Sequence, residues 1–389
     1  MGFIIKIKDM PKMLCSNLKF PYIHKLCVSL LSTYLVNQNI KNQMKIIIVI
    51  FLPLVFLYAS AFAEQQEIWE WHEPMPTPRG EHTVIAIDDM IYVIGGHDVF
   101  YNGLSIVEVY DTKNDSWSTV SPMPKGLHHM GIAVHDEKIY VVGGYEQGWR
   151  KASNSLFIYD PTSDIWTAAR NMPTARGGLT AEFIGDTLYA VGGADHFALS
   201  VNEAYNVNSG TWEKKSPMTQ ARDHLKSAAI DGKMYVIGGR DFSPSRNFGS
   251  NEVYYPETDT WKSLTNMPTP RGGHTISVLN NTIFVFGGEG EFVPFENNEQ
   301  YLPEEDLWIT HTPMLTPRHG LGSATVGDRI YVIGGGVVSG LGISNINESY
   351  YNPEVIPEFD SLVFSVLAIS LIITVFTMKI GFKQKVRDI

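Results

Sequence analysis

Five arginines recur four residues after a methionine: Arg79, Arg176, Arg222, Arg271 and Arg318. A guanidinium presents a planar fork of donors that fits a carboxylate in paired hydrogen bonds, so a ring of them around one opening could hold an anionic ligand. A second series accompanies the first. Glutamates stand two residues before a tyrosine at Glu108, Glu203, Glu252, Glu299 and Glu348. The two series fail together: Leu127 stands where an arginine is due, and Phe157 where its glutamate is due. An internal ion pair replaced once by an apolar pair would leave that pattern, and such a replacement is energetically tolerated. The arginines thus have two readings, a ligand-gripping rim and a set of internal braces, and the joint loss favours the braces.

Histidines collect at the same place: His82, His128, His129, His224, His274 and His319. A metal site requires several ligands converging within about 2.0–2.2 Å of one ion. Successive histidines here fall in different repeats, so the sequence reading assigns no metal and no other cofactor. General acid–base catalysis needs groups of matched pKa near one substrate. No such pair stands apart from the repeat, and no catalytic residue is assigned.

The elements that position these residues repeat six times. MIYVIGG (90–96), KIYVVGG (138–144), TLYAVGG (187–193), KMYVIGG (233–239), TIFVFGG (282–288) and RIYVIGG (329–335) are spaced 46 to 49 residues apart between Gly-Gly pairs. The first five are followed by a Tyr and, seven residues later, a Trp: Tyr110/Trp117, Tyr159/Trp166, Tyr205/Trp212, Tyr254/Trp261 and Tyr301/Trp308. Short apolar or alternating runs joined by Asp-, Asn- and Gly-rich pairs read as strands and tight hairpins. Four strands per repeat around a channel make a β-propeller. The sixth repeat reaches Tyr350 and has no Trp, whereas Trp69 stands alone at the other end in the right register. An N-terminal strand (66–72) is therefore expected to complete the last blade, which removes two unpaired edges.

Gly-Gly, Tyr and Trp at this spacing resemble the kelch-repeat family, over about residues 66–352. The resemblance implies an all-β, six-bladed propeller. It also implies candidate roles, since related kelch domains grip acidic peptides with arginines of this motif and commonly carry histidines at this connection. Kelch-like propellers include a copper oxidase built on a Tyr–Cys crosslink and a sialic-acid mutarotase.

The strand 2–3 loops share least among repeats and are the natural seat of specificity. They include HDVFYNGLS, YEQGWRKASN, ADHFALS, RDFSPSRNFGS, EGEFVPFE and GVVSGLG. Candidate binding residues there are Tyr101, Tyr145, Trp149, Phe197, Arg240, Phe242 and Phe292, beside Phe100, Phe248 and Phe295. Exposed rings among Arg and Asp suit a peptide or a sugar; rings packed within the loops are the other reading.

Outside the propeller, assigned to 64–355, three segments differ in character. Residues 44–63 have a Lys, an apolar core and Ala61-Phe62-Ala63, which reads as a secretory signal peptide with Met44 as a candidate start and 1–43 without an assigned fold. Cys15 and Cys27 precede that cleavage site, so a mature chain would have no disulfide, thiol nucleophile or Tyr–Cys crosslink. In 356–389, a Pro357-Glu358-Phe359 and 18 uncharged residues (361–378) precede Lys379, Lys383, Lys385 and Arg387. That order resembles PEF-type sorting tails of archaeal surface proteins, or else a plain transmembrane helix with a cytoplasmic basic end. Removing the net +6 of residues 1–63 and +3 of 361–389 from the chain's −11 leaves −20 on 64–360. So acidic a body repels nucleic acid. Asn114, Asn280 and Asn347 lie in glycosylation sequons. The expectation is a monomeric outer-surface module that binds an unidentified protein or glycan, with an extracellular carbohydrate-active enzyme as the alternative.

Overall fold

The computed structural model describes residues 67–147, 151–340 and 342–352. Strand β1 (Ile68–Trp71) comes first, and blade one follows as β2 (Thr83–Ile87), β3 (Met90–Ile94), β4 (Val107–Asp111) and β5 (Ser116–Val120). Blade two is β6 (Gly131–His135), β7 (Lys138–Val142), β8 (Leu156–Asp160) and β9 (Ile165–Ala168). Blade three is β10 (Thr180–Ile184), β11 (Thr187–Val191), β12 (Asn202–Asn206) and β13 (Thr211–Lys215). Blade four is β14 (Lys226–Ile230), β15 (Lys233–Ile237), β16 (Asn251–Tyr255) and β17 (Thr260–Ser263). Blade five is β18 (Thr275–Leu279), β19 (Thr282–Phe286), β20 (Asn298–Leu302) and β21 (Leu307–Thr310). Blade six has β22 (Gly322–Val326), β23 (Arg329–Ile333) and β24 (Asn347–Tyr351), and β1 is its fourth strand. The six-bladed, all-β propeller closed by its N-terminal strand is thus the observed fold.

Burial follows strand position. In β3, Ile91 to Ile94 are all buried because neighbouring blades cover both faces, so the strand reads as an unbroken apolar run. In the outer strand β5 no residue is fully buried. The cores lie between blades: Tyr92, Ile94 and Val107 of blade one pack with Ile139, Val141 and Phe157 of blade two. At the end of β3 the chain turns through Gly95 and Gly96, at φ 62° and 96°. A Cβ on Gly95 would stand 2.6 Å from the Leu127 carbonyl oxygen of the next blade, so only glycine fits there.

The Tyr and Trp of each repeat join blades as well as packing. Tyr110 and Trp117 lie directly opposite on β4 and β5, rings 5.1 Å apart. Trp117 Nε1 donates to the Glu73 carbonyl in the preceding connection at 2.8 Å, and Trp166, Trp212, Trp261 and Trp308 make the same bond one blade on each time. Tyr110 Oη donates to Asp115 Oδ1 at 2.6 Å, and that oxygen also accepts from the Glu73 amide. Trp69 repeats the pattern at the closure: it opposes Tyr350, and its Nε1 donates to the Thr312 carbonyl at 3.1 Å. Glu67 takes the place of the turn aspartate and accepts from the Thr312 amide at 2.6 Å.

Among the described residues no helix is long and apolar enough to cross a membrane. The segments read as signal peptide (44–63) and transmembrane helix (361–378), with the leader 1–43 and the PEF-like sequence, lie outside the described residues.

Candidate functional site

The arginines of the repeat point inward. Arg79, Arg176, Arg222, Arg271 and Arg318 are each 0% exposed. Arg79 Nη1 donates to Glu108 Oε2 at 2.6 Å, and its Nη2 to the Val93 carbonyl at 3.0 Å. Thr77 Oγ1 satisfies the other carboxylate oxygen at 2.7 Å. The same triad of Thr, Arg and Glu recurs as Thr174, Arg176 and Glu203, and as Thr269, Arg271 and Glu299. Arg222 pairs with Glu252 at 2.7 Å, and Arg318 pairs with Glu348. Burial lowers these guanidinium pKa values, that of Arg222 to about 10, against the pull of the partnering carboxylate. The anion-gripping rim is therefore corrected: a guanidinium fully enclosed and bonded within its own blade has no surface to offer a ligand. The bracing reading is what the geometry bears out, and in the one blade that lacks the pair Leu127 and Phe157 belong to a single apolar core.

Two residues beyond each brace, one residue per blade stands at the channel mouth in the left-handed region: Glu81 (φ 52°), His129 (59°), Gly178 (65°), His224 (53°), Gly273 (64°) and Gly320 (58°). Their backbones form a closed cycle. Each amide donates to the carbonyl of the equivalent residue next door, Glu81 to Gly320, Gly320 to Gly273, Gly273 to His224, His224 to Gly178, Gly178 to His129 and His129 to Glu81, at 2.7–3.0 Å. Glycine accepts this conformation without strain; each non-glycine residue held there costs on the order of 1–3 kcal/mol. The three residues that depart from glycine are a glutamate and two histidines.

Their side chains converge. One ligand atom from each of Glu81, His129 and His224 lies within 4.8 Å of the other two. His129 Nε2 stands 3.4 Å from Glu81 Oε2, and His319 Nδ1 stands 3.8 Å from Glu81 Oε1 and 3.6 Å from Glu289 Oε2. His319 Nε2 donates to the Val338 carbonyl at 2.9 Å, which directs Nδ1 at the two carboxylates. Burial opposes a charge on His319, but Glu81 and Glu289 override it and raise its pKa. Burial holds His129 well below the usual histidine range, and Glu81 stays well below the usual carboxylate range beside these imidazoles. Arg240 ion-pairs with Glu289, and its Nη2 donates to His224 Nε2 at 2.8 Å. A guanidinium only donates, so His224 Nε2 carries the lone pair and Nδ1–H donates to Asp223 Oδ1. The sequence reading assigned no metal because the histidines sit in different repeats. The ring closure brings them together all the same, and this donor set is one that could hold an ion.

The remaining loop candidates divide. Tyr145 is 2% exposed: its ring lies over Gly177 of the next blade and its hydroxyl donates to the Ala194 carbonyl at 2.7 Å. Arg240 is buried in the cluster just described. Both are corrected from surface contacts to internal ones. Tyr101 is half-buried, stacked on His97 at 4.7 Å and bonded to the Gly340 carbonyl of the last blade. Trp149 lies outside the described residues. Phe197, Phe242 and Phe292 are exposed, at 79%, 54% and 81%, and Phe100 joins them at 79%. Val99 and Val293 are exposed next to Phe100 and Phe292, and Val337 and Val338 are exposed in the corresponding loop of blade six. Backbone bridges such as Gly80 to His97 and His319 to Gly336 tie these loops to the connections that carry the ring, so all of them share one end of the channel.

Below the mouth the inner strands enclose a cavity of about 290 Å³ lined by hydroxyls, among them Thr83, Thr180, Ser227, Ser277 and Ser323. Glu182 and Lys226 are the charged side chains lining it. Burial pushes Glu182 up to about 8, with a hydroxyl of Ser227 opposing, and pulls Lys226 below the usual amine range.

Comparison with known proteins agrees with this architecture. The chain matches the model of the KLHDC2/KLHL20/DRC7 Kelch-repeats domain over residues 55–224 and 131–335. It is 28% identical to the Kelch-like protein terF of Aspergillus terreus over 233 residues, 55% of this chain and 50% of that protein. It is 29% identical to Kelch-like protein 36 of Bos taurus over 203 residues, 50% of this chain and 33% of that one. The similarity to alpha-scruin of Limulus polyphemus is 26% over 144 residues, 35% of this chain and 16% of that protein. The chain thus spans half or less of the length of these curated relatives. Six blades of Gly-Gly, Tyr and Trp, and a family model matched across most of the ring, place the chain in the kelch-repeat family.

Proposed function

We propose that the chain is a binding module at the outer cell surface that engages a protein through its loop face. The observation that carries this is the exposure of Phe100, Phe197, Phe242 and Phe292 on one end of the propeller, contributed by four different blades. Large apolar side chains exposed together on one face mark an interaction site, and aromatic anchors supply most of the energy in protein interfaces. Kelch propellers are typically protein-binding modules, which supports the reading. The outer-surface placement rests on the apolar segments 44–63 and 361–378 and on the acidic charge between them. Burial of the repeat arginines weighs against the sugar-enzyme alternative, because it withdraws the guanidinium groups such a site would use.

The test is to screen the full chain on peptide and glycan arrays, beside single Phe→Ser variants at these four positions. Retention on peptides, weakened at least tenfold by two or more of the variants, is expected. Capture by glycans instead would replace the protein ligand with a sugar, and binding indifferent to all four variants would remove the loop face from the account.

A further inference from the structure

We infer that the channel mouth is a site for one divalent metal ion of the zinc class, held by Glu81, His129 and His224. The site is separate from the exposed loop phenylalanines and does not depend on the binding role given to them.

Three observations converge on it. In a ring whose backbone favours glycine at every position, the three exceptions are ligand-bearing residues, all turned to the same point. Strain of this kind persists where the surroundings enforce it and is concentrated at functional sites. Second, one ligand-to-ligand distance already fits, and the other two lie within 4.8 Å. Bonds of about 2.0–2.1 Å in a tetrahedron place ligand atoms about 3.3 Å apart, and His129 Nε2 already stands 3.4 Å from Glu81 Oε2. The Nδ1–H of His224 is held by Asp223, which leaves its lone pair on Nε2, where Arg240 now donates. A carboxylate behind a ligating imidazole is the usual supporting arrangement around a metal. Third, a cavity of about 10 Å³ opens between these three side chains, with Leu179, Lys226 and Gly273 also on its wall. That is about the volume one water or one ion occupies.

Glu81, Asp223 and Glu289 converge on the mouth against the guanidinium of Arg240 and the imidazole of His319. The ion would take the Nε2 position that Arg240 now occupies, and Arg240 would keep its bond to Glu289. Two imidazoles and one carboxylate favour zinc-like ions over calcium or magnesium, which take oxygen ligands.

The fold supplies its own control. Gly178, Gly273 and Gly320 show that glycine suits this backbone position, so Glu81→Gly and His224→Gly variants keep the ring and remove a ligand. The full chain is stripped with EDTA, dialysed, and titrated with zinc chloride, with bound metal measured by elemental analysis and melting by fluorimetry. Wild type is expected to retain one zinc per chain and to melt higher with it. The two glycine variants are expected to bind zinc at least about 100-fold more weakly, while their metal-free forms still melt as folded proteins. Cobalt should give visible ligand-field bands in wild type alone. A wild type that retains no zinc, or glycine variants that retain it undiminished, would overturn the site and leave the cluster as a hydrogen-bonded plug.

Discussion

At the scale of single residues, the brace of each blade is an enclosed charge pair whose worth lies in its completeness. Removing one member leaves the other buried without a counter-charge, which costs about 3–5 kcal/mol. Glu203→Leu is therefore expected to destabilise by that amount, because Arg176 keeps only its bonds to the Thr174 and Ala190 carbonyls. The double variant Arg176→Leu/Glu203→Phe copies Leu127 and Phe157 of blade two and should return to within about 1 kcal/mol of wild type. Urea denaturation of the three proteins checks both outcomes; equal losses in single and double variants would contradict the pairing. This pairing was legible beforehand, since the joint absence of Arg and Glu from one repeat betrays their contact. The cluster of Glu81, His129 and His224 was not, because residues in three separate repeats become neighbours only when the ring closes. The sequence did carry one unused signal: Glu, His and His occupy the place where the other three repeats have Gly.

At the scale of elements, the strands differ by their distance from the axis. The inner strands turn hydroxyls into the channel, and β10 adds Glu182, whose carboxyl burial pushes up to about 8 from 4.5. A folded-state pKa above the unfolded one means that the folded chain holds its proton more tightly. The contribution to stability is present in full below about pH 4.5 and is lost as pH rises through about 8. Wild type should accordingly lose stability relative to Glu182→Gln across that interval, read as the difference in urea midpoints at successive pH values. A constant difference would mean that Glu182 is solvated from the channel and titrates normally. Strand types, the hairpin turns and the Gly-Gly bends follow from local residue chemistry, which is why they could be read in advance. Tyr145 could not be, because the space its ring fills is made by Gly177 in a neighbouring blade. A loop aromatic with such a recess opposite becomes a brace, and one without it, such as Phe292, stays in solvent.

At the scale of the molecule, the fourth strand of blade six comes from the other end of the sequence. Trp69 is its principal attachment, packed on Tyr350 and Phe286 and bonded to the Thr312 carbonyl. Truncating a core tryptophan costs about 3–5 kcal/mol, and a partly buried one less, so Trp69→Ala should cost about 2–3 kcal/mol. Release of β1 also bares the edge of β24, and exposed edges recruit other chains. Light scattering below the melting temperature is expected to rise with concentration in this variant and to stay flat in wild type. A variant as stable and as monodisperse as wild type would show that blade six stands on three strands.

The amide cycle at the mouth has a consequence of its own. A helix or a strand always leaves groups unanswered at its two ends, and fraying begins there. A cycle has no ends. None of its six donors is first and none of its carbonyls last, so no bond lies at an end and each polarises the next around the full circuit. The centre of the propeller is therefore drawn shut by a seam that links all six blades at the axis, in addition to the cores that join them pairwise.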